Sequence, residues 1–424
     1  MIGSKLKPSN QAWLLLTCFV LMLFCVSVQA KPLMIDDTEL SLQITPSSTP
    51  AKARVLWLVS EYGVLTAENQ LAKQLANHGI ESWQLDLFEA LLLSPTASAI
   101  DEIPSALLVS LIDQAHQDGL PLFIIASNKA VQLAARGLHL YQQIPKENIA
   151  LILLNPNLYI ETPSPGEAPI YWPQTQTLNL PIFTLQAELS PWRWQLSELK
   201  KQLSNAGSPV FLQLLPQVRD RFYFRPDALA IEHTATQDLA PQLLNAMRLL
   251  TGYMHAPRTS GALVAPNAPI QTNLAPSDRL KLYQGPQQRN LDLVDLQGER
   301  HRLSDYQGQV ILLNFWASWC PPCLHEMPSM TRLKTQLSDQ PFEILAVNLA
   351  EQPADFADFL IQNPVNFPIL LDPQGQAIQD WRIIAYPTTY LIDKQGQIRY
   401  ALFGGTEWDQ PHHLKVIQQL LDQQ

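Results

Sequence analysis

Val310-Ile311-Leu312-Leu313-Asn314-Phe315-Trp316-Ala317-Ser318-Trp319-Cys320-Pro321-Pro322-Cys323 joins an apolar, β-branched and aromatic run to a Cys-x-x-Cys pair. Behind the pair, Leu324, Met327, Met330, Leu333 and Leu337 recur at helical spacing. The stretch therefore predicts a strand that delivers two cysteines to a helix N-terminus. Unpaired N–H groups and the helix dipole at that place stabilise a thiolate on the first cysteine. The second, one turn on, is placed to resolve a mixed disulfide. A zinc site is the competing use of such a pair. It needs two more ligands, and the adjacent His412-His413 is the weak candidate for them.

Outward from this stretch, 424 residues suffice for two or three domains with their own cores. At the N-terminus Lys5 and Lys7 precede an uncharged apolar run from Trp13 to Val28, and Val28-Gln29-Ala30 follows. Residues 1–30 thus have the layout of a secretory signal, with an uncleaved membrane anchor as the alternative. Two of the four cysteines, Cys18 and Cys25, lie inside that segment, so the exported chain would keep Cys320 and Cys323 alone. An exported protein with one Cys-x-x-Cys pair and no other cysteine uses its thiols chemically. Beyond residue 30 the chain has 26 basic against 38 acidic residues, a net charge of −12, which argues against nucleic acid as a partner.

Residues 51–252 alternate short apolar runs with helical patterns. Strand candidates are 55–59, 82–87, 122–126, 149–154, 181–185 and 210–214; helices are expected at 68–77, 103–117 and 129–140. This is the pattern of an α/β domain with a mainly parallel sheet covered on both faces. The Pro/Gly/Ala/Asn-rich residues 253–279 read as a linker, and a second α/β domain occupies 280–424.

The second domain resembles the TlpA/ResA branch of thioredoxin-like proteins. The resemblance rests on Leu303-Ser304-Asp305-Tyr306-Gln307-Gly308, Asn314 through Cys323, Glu326-Met327-Pro328, Tyr386-Pro387-Thr388-Thr389 and Leu391-Ile392-Asp393. It implies a thioredoxin-like fold and a thiol–disulfide oxidoreductase in which Cys320 is the nucleophile and Cys323 the resolving thiol. Pro387 would be a cis proline beside the disulfide, with Tyr386 and Trp319 in the substrate site. Asn314 stands where many thioredoxins bury an acid, and Glu326 would instead shuttle the proton of Cys323. Pro328 should kink the helix. The electrons would travel on the Cys320–Cys323 pair without metal or organic cofactor. The resemblance further implies the bacterial envelope or periplasm, reduction of specific protein disulfides such as those of apocytochrome c, and a membrane thiol reductase as electron donor.

The first domain more faintly resembles an α/β-hydrolase, through Asn155-Pro156 and residues 185–192. A nucleophile elbow requires G-x-S-x-G. Here Ala126-Ser127-Asn128-Lys129-Ala130 puts Asn128 at the nucleophile, with Ser190 at the acid and Arg221 at the histidine. Ser127 is out of register, and His233 is expected on a loop. Amide, hydroxyl and guanidinium cannot perform the triad's chemistry, so the domain is expected to bind rather than hydrolyse. Three alternatives stand beside the reductase: a disulfide oxidant or isomerase, a partner-binding protein led by its first domain, and an esterase using Ser127.

Overall fold

The computed structural model describes residues 29–35, 38–160, 169–263 and 279–423, and its apolar runs form two separate sheets. The first contains β1 (Gln29–Ile35), β2 (Thr38–Thr45), β3 (Ala53–Leu58), β4 (Ile80–Leu85), β5 (Leu122–Ser127), β6 (Ile149–Leu154), β7 (Ile182–Leu189) and β8 (Val210–Arg219). They lie in the order β1-β2-β4-β3-β5-β6-β7-β8, parallel from β4 to β8, with β1 and β2 antiparallel at one edge. Every residue of β5 and β6 is buried, as continuous apolar strands between two helical layers must be.

The covering helices are α1 (Thr66–Ala76), α2 (Leu87–Ala90), α3 (Ala99–Glu102), α4 (Ser105–His116), α5 (Ala130–Tyr141), α6 (Leu196–Ser204), α7 (Ala230–Gln237) and α8 (Leu239–Thr251). One core takes Leu108 and Leu111 of α4 with Leu133 and Leu138 of α5; the other takes Leu71 and Leu75 of α1 with Leu243 and Leu250 of α8. The two faces are thus sealed independently.

Three features depart from the sequence expectations. The domain begins before residue 51, because β2 pairs antiparallel with β4 through Leu42↔Leu85 to Thr45↔Ser82. His233 lies on α7, exposed, and not on a loop. The stretch expected as linker from residue 253 is tied to the first domain: Met254 is buried, Lys146 and Arg258 exchange backbone hydrogen bonds, and Gly261 N–H donates to Thr177 O at 2.7 Å. Residues 264–278 lie outside the described residues, as does the signal-like segment up to residue 28; Gln29 and Ala30 open β1. Among the described residues no helix is long and apolar enough to cross a membrane.

The second sheet contains β9 (Lys281–Leu282), β10 (Asp292–Asp295), β11 (Arg300–Arg302), β12 (Val310–Trp316), β13 (Phe342–Leu349), β14 (Ile369–Asp372), β15 (Thr388–Ile392) and β16 (Ile398–Phe403), ordered β11-β10-β14-β13-β12-β15-β16-β9. Around it are α9 (Pro321–Gln336), α10 (Pro353–Gln362), α11 (Gln376–Trp381) and α12 (Pro411–Leu421). The strand quoted at the outset, β12, is central and wholly buried, parallel to β13 and antiparallel to β15. That arrangement is the thioredoxin-like fold. Pairing of Phe315 with Thr388 brings Pro387 level with Trp316, at the sheet end from which Cys320 emerges.

Candidate active site

Cys320 is the N-cap of α9 and is joined to Cys323 by a disulfide, S–S 2.07 Å. Pro321 and Pro322 occupy the first helical positions, where a missing N–H costs no helical bond. Cys320 Sγ accepts the N–H of Cys323 at 3.3 Å. Cys320 is nearly buried and Cys323 fully so. The helix continues through Pro328 to Gln336. The Tyr386–Pro387 peptide bond is cis, and the Tyr386 ring meets Trp319 edge-on at 5.4 Å. Six residues singled out in the sequence, Cys320, Cys323, Glu326, Trp319, Tyr386 and Pro387, therefore gather around one turn.

Glu326 lies one helical turn past Cys323, on the same face of α9 and buried to 1 % exposure. Asn314 Nδ2 donates to its Oε1 at 2.7 Å, and Trp408 Nε1 to its Oε2 at 3.0 Å. Thr406 N–H adds a longer bond to Oε2 at 3.4 Å. Burial pushes the carboxyl up to about 8, with Trp408 and Asn314 opposing that rise by bonding the charged form. Asn314 is thus the clamp of an acid carried by the helix, and it also bonds Thr389 Oγ1 at 2.9 Å.

Several contributors escaped the sequence reading. Trp408 is held by its own N–H to Ser329 Oγ at 2.9 Å, and Ser329 donates to the Glu326 carbonyl at 2.7 Å. His413 packs at a tilt against Trp408, 4.8 Å between ring centroids, and its Nε2 lies 3.1 Å from Thr406 Oγ1. His413 thus braces the acid's surroundings. Glu351 accepts the Ser318 N–H and Asn348 Nδ2, each at 2.8 Å, and so fixes the turn before Trp319. Burial raises its carboxyl as well.

A cavity of about 510 Å³ opens beside the turn, lined by Pro321, Pro322, His325, Glu326, Gly405, Thr406 and Glu407. Gly405 is required there, because a Cβ would overlap the Pro322 carbonyl. Glu326, though buried, thus borders open space. Elsewhere, among the described residues, Asp295, Glu299 and His301 form a cluster of possible metal ligands. Its Asp295 Oδ1 is already occupied by the N–H groups of Gln297 and Glu299.

In the first domain, Asn128 sits at φ +49 on the sharp turn from β5 into α5. The next N–H, that of Lys129, donates to Glu61 Oε2 at 3.0 Å. Ser190 accepts the Trp192 N–H at 3.2 Å, while Arg221, at φ +62, lies over the Tyr62 ring at 5.5 Å. Burial pushes Asp220 up to about 6, opposed by a hydrogen bond with Ser190 and by Arg221 and Arg225. Ser127 is buried, with its Oγ 3.5 Å from Glu68 Oε1. Burial raises Glu68 to about 8, with Ser127 and Tyr223 opposing. No histidine takes part in any of these contacts.

Comparison with known proteins agrees with the geometry of the second domain. Residues 285–401 match the AhpC/TSA family. The thiol-disulfide oxidoreductase ResA of Geobacillus kaustophilus is 42% identical over 126 residues, covering 30% of this chain and 72% of the relative. The thioredoxin-like protein YneN of Bacillus subtilis is 38% identical over 124 residues, 28% of this chain and 70% of the relative. Among solved structures, the exposed lipoprotein thioredoxin Etrx1 of Streptococcus pneumoniae is 32% identical with a TM-score of 0.28, covering 31% of this chain and 99% of that one.

Proposed function

Because the chain belongs to the ResA family of thiol–disulfide oxidoreductases through its C-terminal domain, we propose that it acts as a reductase of specific protein disulfides outside the cytoplasm. The observation that carries the direction is the scarcity of donors around Cys320. Pro321 and Pro322 remove two first-turn N–H groups, and among the described residues Cys323 N–H alone donates to Cys320 Sγ. A strong oxidant owes its high potential to a stabilised reduced form, and the two first-turn prolines weaken the stabilisation that a helix N-terminus otherwise gives the thiolate.

In the reaction, the Cys320 thiolate attacks one sulfur of the client disulfide, and the client's other sulfur leaves as thiolate. Cys323 gives its proton to the ionised fraction of Glu326. Its thiolate then attacks Cys320 Sγ, the mixed disulfide breaks, and the client leaves fully reduced. Two electrons have passed from the cysteine pair to the client. A carboxyl held near 8 suits this task, since a proton carrier works best when its pKa is close to the working pH.

The first domain serves as a catalytically empty, hydrolase-like module that binds a partner or substrate beside the redox site. Two features support this. The turn at Asn128 has the strained strand-to-helix form of a nucleophile elbow but presents an amide. The N–H that would stabilise an oxyanion there is taken by the Glu61 carboxylate. Export by residues 1–30, recharging by a membrane thiol reductase and apocytochrome c as client complete the proposal.

Equilibration of Cys320–Cys323 with a glutathione or thioredoxin couple tests the direction. A midpoint near about −270 mV is expected, and one near about −120 mV would assign the protein to disulfide formation.

A further inference from the structure

The redox site has a neighbour from the other half of the chain. After β7, Ser190 caps a short 3₁₀ turn, Pro191–Gln195, whose two tryptophans face opposite ways. Trp192 packs back on the core of the first domain, 4.5 Å from Tyr159 between ring centroids. Trp194 instead joins the apolar core of the redox domain. It lands on Gly375, just before α11, where a Cβ would overlap the indole's six-membered ring. Gly375 has φ +68, so that position favours glycine both for its conformation and for its neighbour. Arg193 lies over the Trp194 ring at 4.1 Å and pairs with Glu188 at 3.4 Å, which braces the indole from its own domain.

Trp194 also makes a polar side-chain contact with Tyr386, and Tyr386 in turn meets Trp319. A row of three rings therefore runs from the first domain to the residue preceding Cys320. Among the described residues, the backbone N–H and C=O of Tyr386 enter no backbone hydrogen bond. Such an unpaired edge beside a reactive sulfur is where an extended peptide can add itself by main-chain bonds.

We infer that Trp194 is a specificity-determining residue of the redox reaction: with Tyr386 it walls the groove in which a client backbone must lie to bring its disulfide to Cys320. A wall of this kind selects by exclusion. An extended segment that pairs with the Tyr386 backbone passes beside the indole, whereas a bulky or folded segment meets it. A small disulfide needs only the Cys320 sulfur and is less affected. The inference rests on the oxidoreductase reading and adds to it a cross-domain determinant of client choice.

The test uses the reduced full-length protein and single-turnover rate constants with two disulfides, insulin and oxidised glutathione. In Trp194→Ala the insulin rate should rise about tenfold more than the glutathione rate, with the midpoint potential unchanged. Trp194→Leu keeps an apolar contact with Gly375 but loses the reach to Tyr386; it should shift the ratio in the same direction by about threefold, and serves if the alanine variant fails to fold. An unchanged ratio in the folded variants, or an equal fall in both rates, would overturn the assignment. A wild-type protein that reacts with neither disulfide would instead overturn the oxidoreductase reading.

Discussion

Both domains contain a central strand that turns abruptly into a helix, with a buried glutamate close to the turn. In the redox domain β12 leads to Cys320 and α9, and Glu326 lies beneath; in the first domain β5 leads to Asn128 and α5, and Glu68 lies beneath. Burial pushes both carboxyls up to about 8. The shifted pKa therefore does not by itself say which of the two glutamates does chemistry. What differs is the surroundings. Glu326 shares a helix face with a thiol and borders a cavity, whereas Glu68 is enclosed by Ser127 and Tyr223 beside a turn whose donor is already occupied by Glu61.

The largest expected contrast is between the two turns. Cys320→Ser should lower disulfide turnover by at least about 10³-fold, and Asn128→Ala should leave it unchanged. Insulin reduction by both variants would show it, and an equal loss would mean that the first turn takes part in the chemistry.

The second contrast concerns stability against pH. A carboxyl near 8 in the folded chain and near 4.5 when unfolded keeps its full contribution below about pH 4.5. That contribution is lost as pH rises through 8, with a slope of at most about 1.4 kcal/mol per pH unit for each group. Glu68→Gln should flatten this decline in urea melts between pH 5 and 8; an unaltered slope would show that Glu68 ionises normally.

A smaller effect is expected from Glu61→Ala. Loss of its bond to the Lys129 N–H should cost about 1 kcal/mol, comparable to a lost helix cap, and should yield no hydrolysis of a p-nitrophenyl ester. Ester turnover abolished by a further Ser127→Ala would revive the esterase alternative. The smallest effect should follow Trp408→Phe. Removing a donor that favours the charged carboxylate should move the pH inflection of the redox reaction upward by about half a unit, where a downward move would reverse the sign of that contact.

The parts of this comparison that were legible in the sequence share a physical reason. β12, α9 and the parallel strands of the first domain are written in local periodicity, because strands buried on both faces are apolar throughout. That Asn128, Ser190 and Arg221 cannot perform a hydrolase triad's chemistry was readable whatever their geometry. The hairpin of β1 and β2 was not, since Gln29–Ile35 follows directly on the signal-like run and carries a lysine and a proline. Nor were the partners of Glu326: Trp408 lies 82 residues away in the chain, and no local spacing announces such a contact. Trp194 was hidden for the same reason, because its neighbours Gly375 and Tyr386 belong to the other domain.

The central claim is that Glu326 manages the proton of Cys323 while its counterpart Glu68 does no chemistry. Stopped-flow measurement of mixed-disulfide resolution against pH, in the wild type, Glu326→Gln and Glu68→Gln, tests it most directly. The account predicts a rate that climbs through an inflection near 8 in the wild type and in Glu68→Gln. In Glu326→Gln it predicts a loss of that inflection and a rate lower by about 10²-fold. Identical profiles in all three proteins would contradict it.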